Sequence, residues 1–347
     1  METEVKSPQA KTVLLTGITG FLARHIALQL LQKGYLVRGS LRSLARGEEL
    51  RQSLKNAGAP VENLRLVEAD LMQDAGWDEA TAGCDYVIHT ASPFPSALPK
   101  HEDELIRPAK EGTLRVLRAA KGAGVQRVVL TSSIAATNYG RGQAPYTEED
   151  WTDIDGPETT PYYKSKTIAE QAAWAFSRET GLELATICPS FMMGPLIGPE
   201  PGTSMEIIVK LLRGEFPALP RFGISFVDVR DVAEAHLLAM STPEAAGERF
   251  IGGGRFLWMK EISEILRNRF PTYARKIPKC VLPDCLVRIL ACFNPTIRLI
   301  RDELGKDRTV SAEKAKRLLD WTPRAPEEAL QAAVNSLIER GLIGPEK

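Results

Sequence analysis

The sequence predicts an α/β fold, in which a doubly wound parallel sheet is followed by a smaller, mostly C-terminal α/β lobe. Short apolar runs alternate with helically periodic segments from Thr12 to Leu130, which is typical of right-handed βαβ crossovers. The alternation stops after Thr131, and 347 residues exceed what one core usually needs. We therefore expect one lobe over residues 1–188 and a substrate-binding lobe over 189–347, with some chain crossing back to the sheet.

Local patterns predict each element of the first lobe. Continuous apolar runs bounded by turn residues indicate strands that are buried on both faces, and apolar residues three or four apart indicate helices. The predicted strands are Thr12–Thr16, Tyr35–Gly39, Leu64–Glu68, Asp85–His89, Arg127–Leu130 and Leu184–Ile187. The predicted helices are Phe21–Lys33, Glu48–Asn56, Trp77–Thr81, Glu102–Lys121 and Thr167–Glu179. Six prolines in Pro189–Pro220 predict a surface run, and the remaining chain has a helical and irregular pattern.

Composition limits the class of partner. Lys and Arg together number 44, as do Asp and Glu, so the formal net charge is zero and no broad basic field favours nucleic acid or an anionic membrane. No apolar run reaches the roughly 18 residues of a membrane span, and Met1 to Lys11 lacks the apolar stretch of a secretory signal. Five scattered cysteines without a metal-binding spacing indicate core thiols in a reducing cytosol. The expected location is therefore cytoplasmic.

A glycine-rich turn joins the first predicted strand to the first predicted helix. In TGITGFLA, residues 16–23, Gly17 permits a tight turn and Gly20 lets the backbone approach a pyrophosphate at the helix N-terminus. Two glycines also suit a simple turn, but the position at the first crossover favours a dinucleotide site of the Rossmann type.

The end of the second predicted strand indicates which dinucleotide binds. An enzyme that uses NAD usually has Asp or Glu there to bind the ribose 2′-hydroxyl. Residues 37–43, VRGSLRS, contain no acid, and Arg42 can pair with a 2′-phosphate, with Arg46 as a further cation. An exposed arginine without a ligand is the alternative. The sequence therefore favours NADP(H) as the cofactor.

Two more predicted strands end at the same crevice, because the carboxyl ends of parallel strands meet at one edge of the sheet. Asp70 and Leu71 follow the third strand, where a carboxylate can accept a hydrogen bond from adenine, although Asp70 could equally cap the next segment. Thr90, Ala91 and Ser92 follow the fourth strand, and their small side chains let a ribose lie close.

A tyrosine and a lysine four residues apart indicate the chemistry. In PYYKSK, which opens a helix, Tyr162 and Lys166 share one face. A phenol with a pKa near 10 is a poor acid or base at neutral pH, but an adjacent ammonium stabilises the phenolate and lowers that pKa. Ser133, at a strand end, is expected to polarise a carbonyl that Tyr162 protonates, and Ser132 is the alternative. The set predicts an oxidoreductase that moves a hydride to or from a carbonyl or alcohol carbon.

These residues resemble the extended short-chain dehydrogenase/reductase superfamily, and within it the dihydroflavonol 4-reductase and cinnamoyl-CoA reductase-like group. The passages that carry the resemblance are TGITGFLARHI, VRGSLRS, EADL, HTASP, TSS, YYKSKTIAEQAAW, CPSFMMGP and FVDVRDVAEAH. The resemblance implies an NADPH-dependent reductase of aldehydes or ketones, dihydroflavonol-like compounds among them.

The resemblance also assigns individual residues. It implies that Ser133, Tyr162 and Lys166 are catalytic, and that Asn138 binds the substrate together with Ser133 and Tyr162. It implies cofactor contacts by Gly17, Thr19, Gly20, Phe21, Leu22, Arg42, Asp70, Leu71, Thr90, Ala91, Ser92, Lys166, Pro189 and Ser204. Glu49 stands where some plant members have a second basic residue, and Ser225 where others have a glutamine that contacts a flavonoid. Both departures argue against a flavonoid substrate.

Other interpretations remain open. A nucleotide-sugar epimerase or dehydratase would keep the Tyr–Lys pair but usually holds NAD, and a hydroxysteroid dehydrogenase would share the chemistry. A non-catalytic NADP(H)-sensing regulator would need neither Tyr162 nor Lys166. We expect a small carbonyl or alcohol substrate, neither nucleic acid nor membrane as a partner, and a monomer or homodimer.

Two groups of later residues have open roles. We expect structural roles for Asp228, Asp231, His89 and His236, and no metal. Large apolar residues of the later lobe either line a substrate pocket or form ordinary core: Phe191, Met192, Met193, Phe216, Phe222, Phe226, Phe256 and Trp258.

Overall fold

The computed structural model describes residues 10–92, 101–139, 142–157, 159–293, 295–298 and 300–344. Its first half alternates strands with helices: β1 (Thr12–Thr16), α1 (Phe21–Gln32), β2 (Leu36–Leu41), α2 (Gly47–Asn56), β3 (Leu64–Glu68), α3 (Trp77–Thr81), β4 (Tyr86–His89), α4 (Asp103–Gly122), β5 (Arg127–Thr131), α5 (Pro161–Thr180) and β6 (Glu183–Pro189). Every strand and helix predicted in this half is present, with ends that differ by a few residues. Pro93, in the HTASP passage, lies outside the described residues.

The second half adds four short strands and seven helices to the described chain. These are β7 (Phe191–Met193), α6 (Glu206–Arg213), β8 (Gly223–Asp228), α7 (Val229–Ser241), β9 (Arg249–Gly252), β10 (Phe256–Trp258), α8 (Met259–Arg269), α9 (Asp284–Ala291), α10 (Pro295–Arg298), α11 (Glu313–Leu319) and α12 (Pro326–Glu339). Among the described helices, none combines the length and apolar character that crossing a membrane requires.

The prediction of a surface run over Pro189–Pro220 is wrong, because β7 and α6 lie within it. Helix α6 occupies the proline-free stretch between Pro201 and Pro217, and its Ile208, Leu211 and Leu212 are fully buried. The six prolines mark the turns around these elements, and they concealed a helix that supplies core to the second lobe.

Seven strands form the main sheet in the order β3-β2-β1-β4-β5-β6-β9, and three form a smaller sheet in the order β10-β8-β7. Every neighbouring pair in the main sheet is parallel. The predicted doubly wound α/β sheet is therefore confirmed. Strand β9 comes from the second half of the chain and pairs with β6. The division into two lobes at residue 188 stays a prediction.

Strand β1 shows why its residues form a buried strand. Its side chains alternate between the two faces of the sheet. Val13 and Leu15 pack in a cluster with residues of α1 and α7, whereas Leu14 packs in a second cluster with residues of α4 and α5. All three are fully buried, and each such side chain contributes about 1.5–3 kcal/mol through burial. A third cluster, built from α6, α8, α12 and β8, forms the core beside the smaller sheet.

Candidate active site

A cleft of about 940 Å³ lies at the carboxyl ends of the parallel strands, with residues of the smaller sheet along its other side. The strand order reverses between β1 and β4, and α/β sheets bind ligands outside the strand ends at such a switch point. Every residue predicted for the site lines this cleft. The role of each remains a prediction.

The turn between β1 and α1 is shaped to hold an anionic group. Gly17 has φ +65°, and a Cβ there would meet the Cα of Ala91 at 3.0 Å. The Gly20 amide donates to the Gly17 carbonyl at 2.9 Å. Helix α1 begins at Phe21, and its N-cap residue Gly20 has no side chain to cap it; its first turn has no acidic residue. Its first amide N–H groups are therefore available to a phosphate.

The ends of β1 and β4 are joined by a buried hydrogen-bond network. The Thr16 hydroxyl contacts His89 Nδ1 at 2.7 Å and accepts from the Ala91 amide at 3.1 Å. The Thr90 hydroxyl donates to the Thr16 carbonyl at 2.6 Å. Burial, and secondarily the nearby Lys166, lowers the pKa of His89 to about 3, so this histidine is neutral. The network holds residues 90–92 against the glycine turn.

Two arginines and a carboxylate line the far end of the cleft. Arg42 is exposed and has no ion pair within the described chain, whereas Arg46 lies 3.7 Å from Glu200. One carboxylate oxygen of Asp70 accepts from the Met72 amide at 2.9 Å. Asp70 therefore caps its own turn while it also lines the cleft.

Glu49 is engaged elsewhere. Its two oxygens accept from the buried Arg24 guanidinium at 3.0 and 2.8 Å, and this pairing lowers the pKa of Glu49. Glu49 does not line the cleft. Glu49 thus neutralises the buried Arg24, although some plant members have a second basic residue at this position.

Tyr162, Lys166 and Ser133 come together on one wall of the cleft. The Lys166 Nζ lies 5.9 Å from the centre of the Tyr162 ring and donates to the Ser92 hydroxyl at 3.1 Å. The Ser133 hydroxyl is a hydrogen-bond partner of the Tyr162 hydroxyl, and it accepts from the Ala135 amide at 3.1 Å. The predicted shared helix face is thus present.

The pKa of Tyr162 shifts opposite to the direction expected from the sequence. Burial raises the pKa of Tyr162, and the bond with Ser133 lowers it in part. Burial also lowers the pKa of Lys166 to about 8, against the opposing influence of Cys188 and Glu170. Desolvation of both groups outweighs their mutual effect across this distance. At physiological pH, Tyr162 is therefore a neutral phenol with a proton to give.

The structure distinguishes Ser133 from Ser132. The Ser132 hydroxyl donates to Glu170 Oε2 at 2.6 Å, and the residue is buried. Successive residues of an extended chain point to opposite sides, so the neighbouring Ser133 is left as the hydroxyl beside Tyr162.

Glu170 is a residue that the sequence analysis missed. It lies one helical turn beyond Lys166, and its side chain is fully buried. Its carboxylate accepts from Arg249 Nε at 2.8 Å and from the Thr186 hydroxyl at 3.0 Å, in addition to Ser132. These bonds join α5 to the residue that follows β5, to the middle of β6 and to the first residue of β9. The spacing of four residues from Tyr162 to Lys166 to Glu170 was the available signal.

The opposite end of the cleft holds a stack of polar rings, which sequence reasoning also missed. Tyr139 and Tyr163 are stacked at 3.7 Å between ring centres, and the Arg308 guanidinium lies 4.8 Å from the Tyr139 ring. Arg308 forms a buried ion pair with Glu303 at 2.8 Å. Burial raises the pKa of Tyr163 to about 12, so its hydroxyl remains a donor.

Asn138 is held by the same arginine. The Asn138 carbonyl accepts from Arg308 at 2.6 Å, and its side-chain nitrogen donates weakly to the Arg308 carbonyl at 3.4 Å. The side-chain oxygen of Asn138 and the hydroxyls of Ser190 and Ser225 are buried without a hydrogen-bond partner in the described chain. All three residues line the cleft, which therefore offers unpaired polar atoms.

The apolar residues of the later lobe divide between pocket and core. Phe191, Met192 and Phe222 line the cleft. Met193 and Phe226 are buried in the core cluster beside the smaller sheet, and Phe216 packs against that cluster. Phe256 and Trp258 form an edge-to-face pair outside the cleft lining. The cleft wall at this side is thus partly aromatic and partly thioether.

Asp228, Asp231 and His236 have structural roles, as predicted. Asp228 caps α7 by accepting from the Arg230 amide at 2.8 Å, and Asp231 accepts from the Arg324 amide at 2.6 Å. Buried His236 bonds through both ring nitrogens, to Thr131 at 2.7 Å and to Val232 at 2.8 Å. No group of three His, Cys, Asp or Glu side chains suited to a metal occurs in the described residues.

A parallel sheet with its cleft at the switch point, behind a glycine turn at the first helix, is typical of α/β proteins that bind nucleotide cofactors. The chain matches the model of the NAD dependent epimerase/dehydratase family over residues 13–252. It belongs to this family, the extended short-chain dehydrogenases/reductases, and the resemblance predicted from its motifs is confirmed.

Named relatives and a solved structure narrow the group. The chain is 35% identical over 336 residues to a cinnamoyl-CoA reductase of Medicago truncatula, covering 94% of this chain and 96% of that protein. It is 34% identical over 281 residues to dihydroflavonol 4-reductase of Zea mays, covering 79% and 78%. The structure of yeast methylglyoxal/isovaleraldehyde reductase complexed with NADPH matches with a TM-score of 0.78 at 27% identity, covering 94% of this chain and 98% of that one.

Proposed function

We propose that this protein is an NADPH-dependent carbonyl reductase, which reduces an aldehyde or ketone to an alcohol in a reversible reaction. The observation that carries the proposal is the meeting of a neutral phenol, a serine hydroxyl and a lysine ammonium on one wall of the cleft. The names of the relatives, all reductases, support the same reaction class.

The cleft fits NADP(H). The uncapped N-terminus of α1 and the close approach of Gly17 to Ala91 would hold the pyrophosphate, and Arg42 would pair with the 2′-phosphate. Ser92 and Lys166 would face the nicotinamide ribose. When bound, the cofactor supplies the hydride that is exchanged with the carbonyl carbon.

The protein itself handles the proton and the oxygen. The Ser133 hydroxyl donates a hydrogen bond to the carbonyl oxygen, which polarises it. Tyr162 transfers its phenol proton to that oxygen as general acid, and its raised pKa keeps the proton in place until then. The Lys166 ammonium stabilises the phenolate that remains. In the reverse direction, the phenolate accepts the proton from an alcohol.

The substrate has an apolar body and at least one further polar group. Phe191, Met192 and Phe222 favour a largely apolar molecule. The unpaired oxygens of Asn138 and Ser225 favour a donor such as a hydroxyl group, because a buried polar atom without a partner costs about 1–3 kcal/mol. Hydroxylated ketones satisfy both conditions; a dihydroflavonol-like ketone also does, but the departure at Ser225 favours a smaller one.

A panel assay tests the proposal. Loss of NADPH absorbance is followed with aldehydes, diketones, dihydroflavonols and acyl-CoA esters. We expect turnover of at least one class, with the corresponding alcohol as product. An epimerase would change its sugar nucleotide without net consumption of the cofactor, and a regulator would bind NADPH without any turnover, so either result rejects a reductase.

We place this activity in the cytosol. All five cysteines are free, which suits a reducing compartment. The chain works as a monomer or homodimer, with residues 1–188 as the NADP-binding domain and 189–347 as a mainly substrate-binding lobe.

Arg42→Ala is expected to weaken NADPH binding by about 10- to 100-fold, because a charge-assisted pair to the 2′-phosphate is lost. NADH binding should change little. Titration of both cofactors by fluorescence measures the difference. Arg65→Ala is the matched control, since Arg65 is an exposed arginine on β3 that pairs with Glu79. Equal losses for both cofactors would show that Arg42 does not read the phosphate.

The reductase activity is expected to fall above about pH 8. Burial lowers the pKa of Lys166 to about 8, so its ammonium is present below that pH and is lost above it, whereas Tyr162 stays protonated throughout. The pH profile of kcat/KM reports the free enzyme. Lys166→Arg keeps a charge at all these pH values and should flatten the alkaline limb, even if the overall rate is lower. If the alkaline limb of the Lys166→Arg profile were unchanged, the fall in activity would be caused by a group other than Lys166.

A further inference from the structure

Helix α9 exposes a stripe of apolar side chains to solvent. Leu286, Ile289, Leu290 and Phe293 are 45%, 56%, 43% and 83% exposed. The spacing of three and four residues puts Leu286, Ile289 and Leu290 on one helical face, and Phe293 follows in the turn two residues after α9 ends. The inward face of α9 buries the small side chains of Val287 and Ala291. The larger apolar face of this helix, which we call the α9 stripe, therefore points outward.

Cations flank the α9 stripe. Arg288 is exposed beside it, Lys279 is exposed on the segment that leads into α9, and Arg298 donates to the last carbonyls of the helix. None of these three has an ion pair within the described chain. The nearby carboxylates are already engaged, Asp284 with Arg221 at 2.6 Å and Asp302 with Arg301 at 2.9 Å. The surface around the stripe is therefore positively charged.

The exposed area of the α9 stripe and the charge around it favour one class of binding partner. The four side chains of the stripe and the adjacent Val281 are 40–83% exposed and offer on the order of 500 Å², below the roughly 800 Å² per partner of a stable protein complex. A second copy would bring the same cations face to face. An anionic lipid surface needs one apolar helix face, and it attracts the flanking cations.

We propose that the α9 stripe is a docking surface for an anionic lipid membrane, on which the protein rests without crossing the bilayer. The neutral net charge predicted no broad basic field, but the cations concerned are local to this helix. The 3₁₀ turn Arg301–Glu303 packs against α9 and α10, and Glu303 lines the cleft. Docking through α9 brings the substrate end of the cleft close to the lipid, where apolar carbonyl compounds concentrate.

Vesicle flotation with the full chain tests the proposal. The vesicles contain phosphatidylcholine alone or phosphatidylcholine with phosphatidylserine. We expect binding to the anionic vesicles, little binding to the neutral ones, and weakening as salt rises. Ile289→Glu combined with Phe293→Glu should lower the bound fraction at least about tenfold. Arg288→Glu alone should lower the affinity by at least about fivefold. Ile338→Glu, a partly exposed position on α12, is the matched control and should bind like the unchanged protein.

Further readouts keep this result separate from the reductase assignment. NADPH oxidation with a water-soluble carbonyl substrate, without vesicles, should be unchanged in the α9 variants, which shows that they fold. The proposal is overturned if the unchanged protein does not bind anionic vesicles, if it binds neutral vesicles equally, or if the α9 variants bind as well as the Ile338→Glu control. It is also overturned if light scattering shows a dimer that the α9 substitutions separate into monomers, since the stripe would then join two copies.

Discussion

Replacing Tyr162 by Phe is expected to lower kcat for carbonyl reduction by about 10²–10⁴-fold, the usual contribution of a positioned general acid. The substitution removes the proton donor and keeps the ring that packs in the cleft. Binding of NADPH should be almost unchanged, because Lys166 and Ser92, the groups proposed to face the cofactor, keep their hydrogen bond. Steady-state kinetics and a cofactor titration on the same preparation separate the two effects.

Tyr273→Phe is the matched control for this loss. It removes a tyrosine hydroxyl that donates to the Gly344 carbonyl at 3.3 Å, and Tyr273 does not line the cleft. Its kcat should stay near that of the unchanged protein. If Tyr162→Phe were equally active, the proton would come from elsewhere, and the neighbouring Tyr163 would be the next candidate, because it also lines the cleft.

The first half of the fold could be predicted from the sequence because its signals are local. A continuous apolar run such as Thr12–Thr16 is typical of a strand that is buried on both faces of a parallel sheet. Gly17 and Gly20 mark the turn that follows it. Tyr162 and Lys166 are separated by one helical turn, so their proximity is a property of the helix alone. These features required no knowledge of the tertiary structure.

The second half depends on contacts between distant segments. Strand β9 has four residues, and it is a strand because it pairs with β6. Arg308 donates to the carbonyl of Asn138, which lies 170 residues earlier in the chain. The local sequence around either residue does not predict that bond. Helix α6 was concealed by the prolines on either side of it, although its own residues Ile208, Leu211 and Leu212 are helically spaced.

The electrostatics of the site could be predicted only in part. The sequence indicates that a lysine accompanies the tyrosine, but the pKa of each depends on how deeply it is buried. Burial moves the pKa values of Tyr162 and Lys166 in opposite directions, which leaves a neutral phenol beside an ammonium that is charged below about pH 8. Likewise, the sequence could not show that the Ser132 hydroxyl donates to Glu170, which leaves Ser133 as the serine beside Tyr162.

Glu170→Ala is expected to destabilise the fold by about 3–5 kcal/mol, because Arg249 would be left as an unpaired charge in the interior. The side chains of this pair are 0% and 7% exposed. The hydroxyls of Ser132 and Thr186 would also lose an acceptor. Urea denaturation of the variant measures the loss as a lower midpoint.

Glu179→Ala is the matched control for Glu170→Ala, since Glu179 is an exposed glutamate near the end of the same helix. A change there should stay within about 0.5 kcal/mol. Replacing both members of the pair, Glu170→Ala with Arg249→Met, should recover part of the loss, because no isolated charge remains. If Glu170→Ala and Glu179→Ala destabilised the fold equally, the buried Glu170–Arg249 pair would not be what holds α5 to the sheet. The position of Tyr162 and Lys166 opposite Ser133 would then be fixed by the packing of α5 against α4, β6 and the turn that follows Ser133.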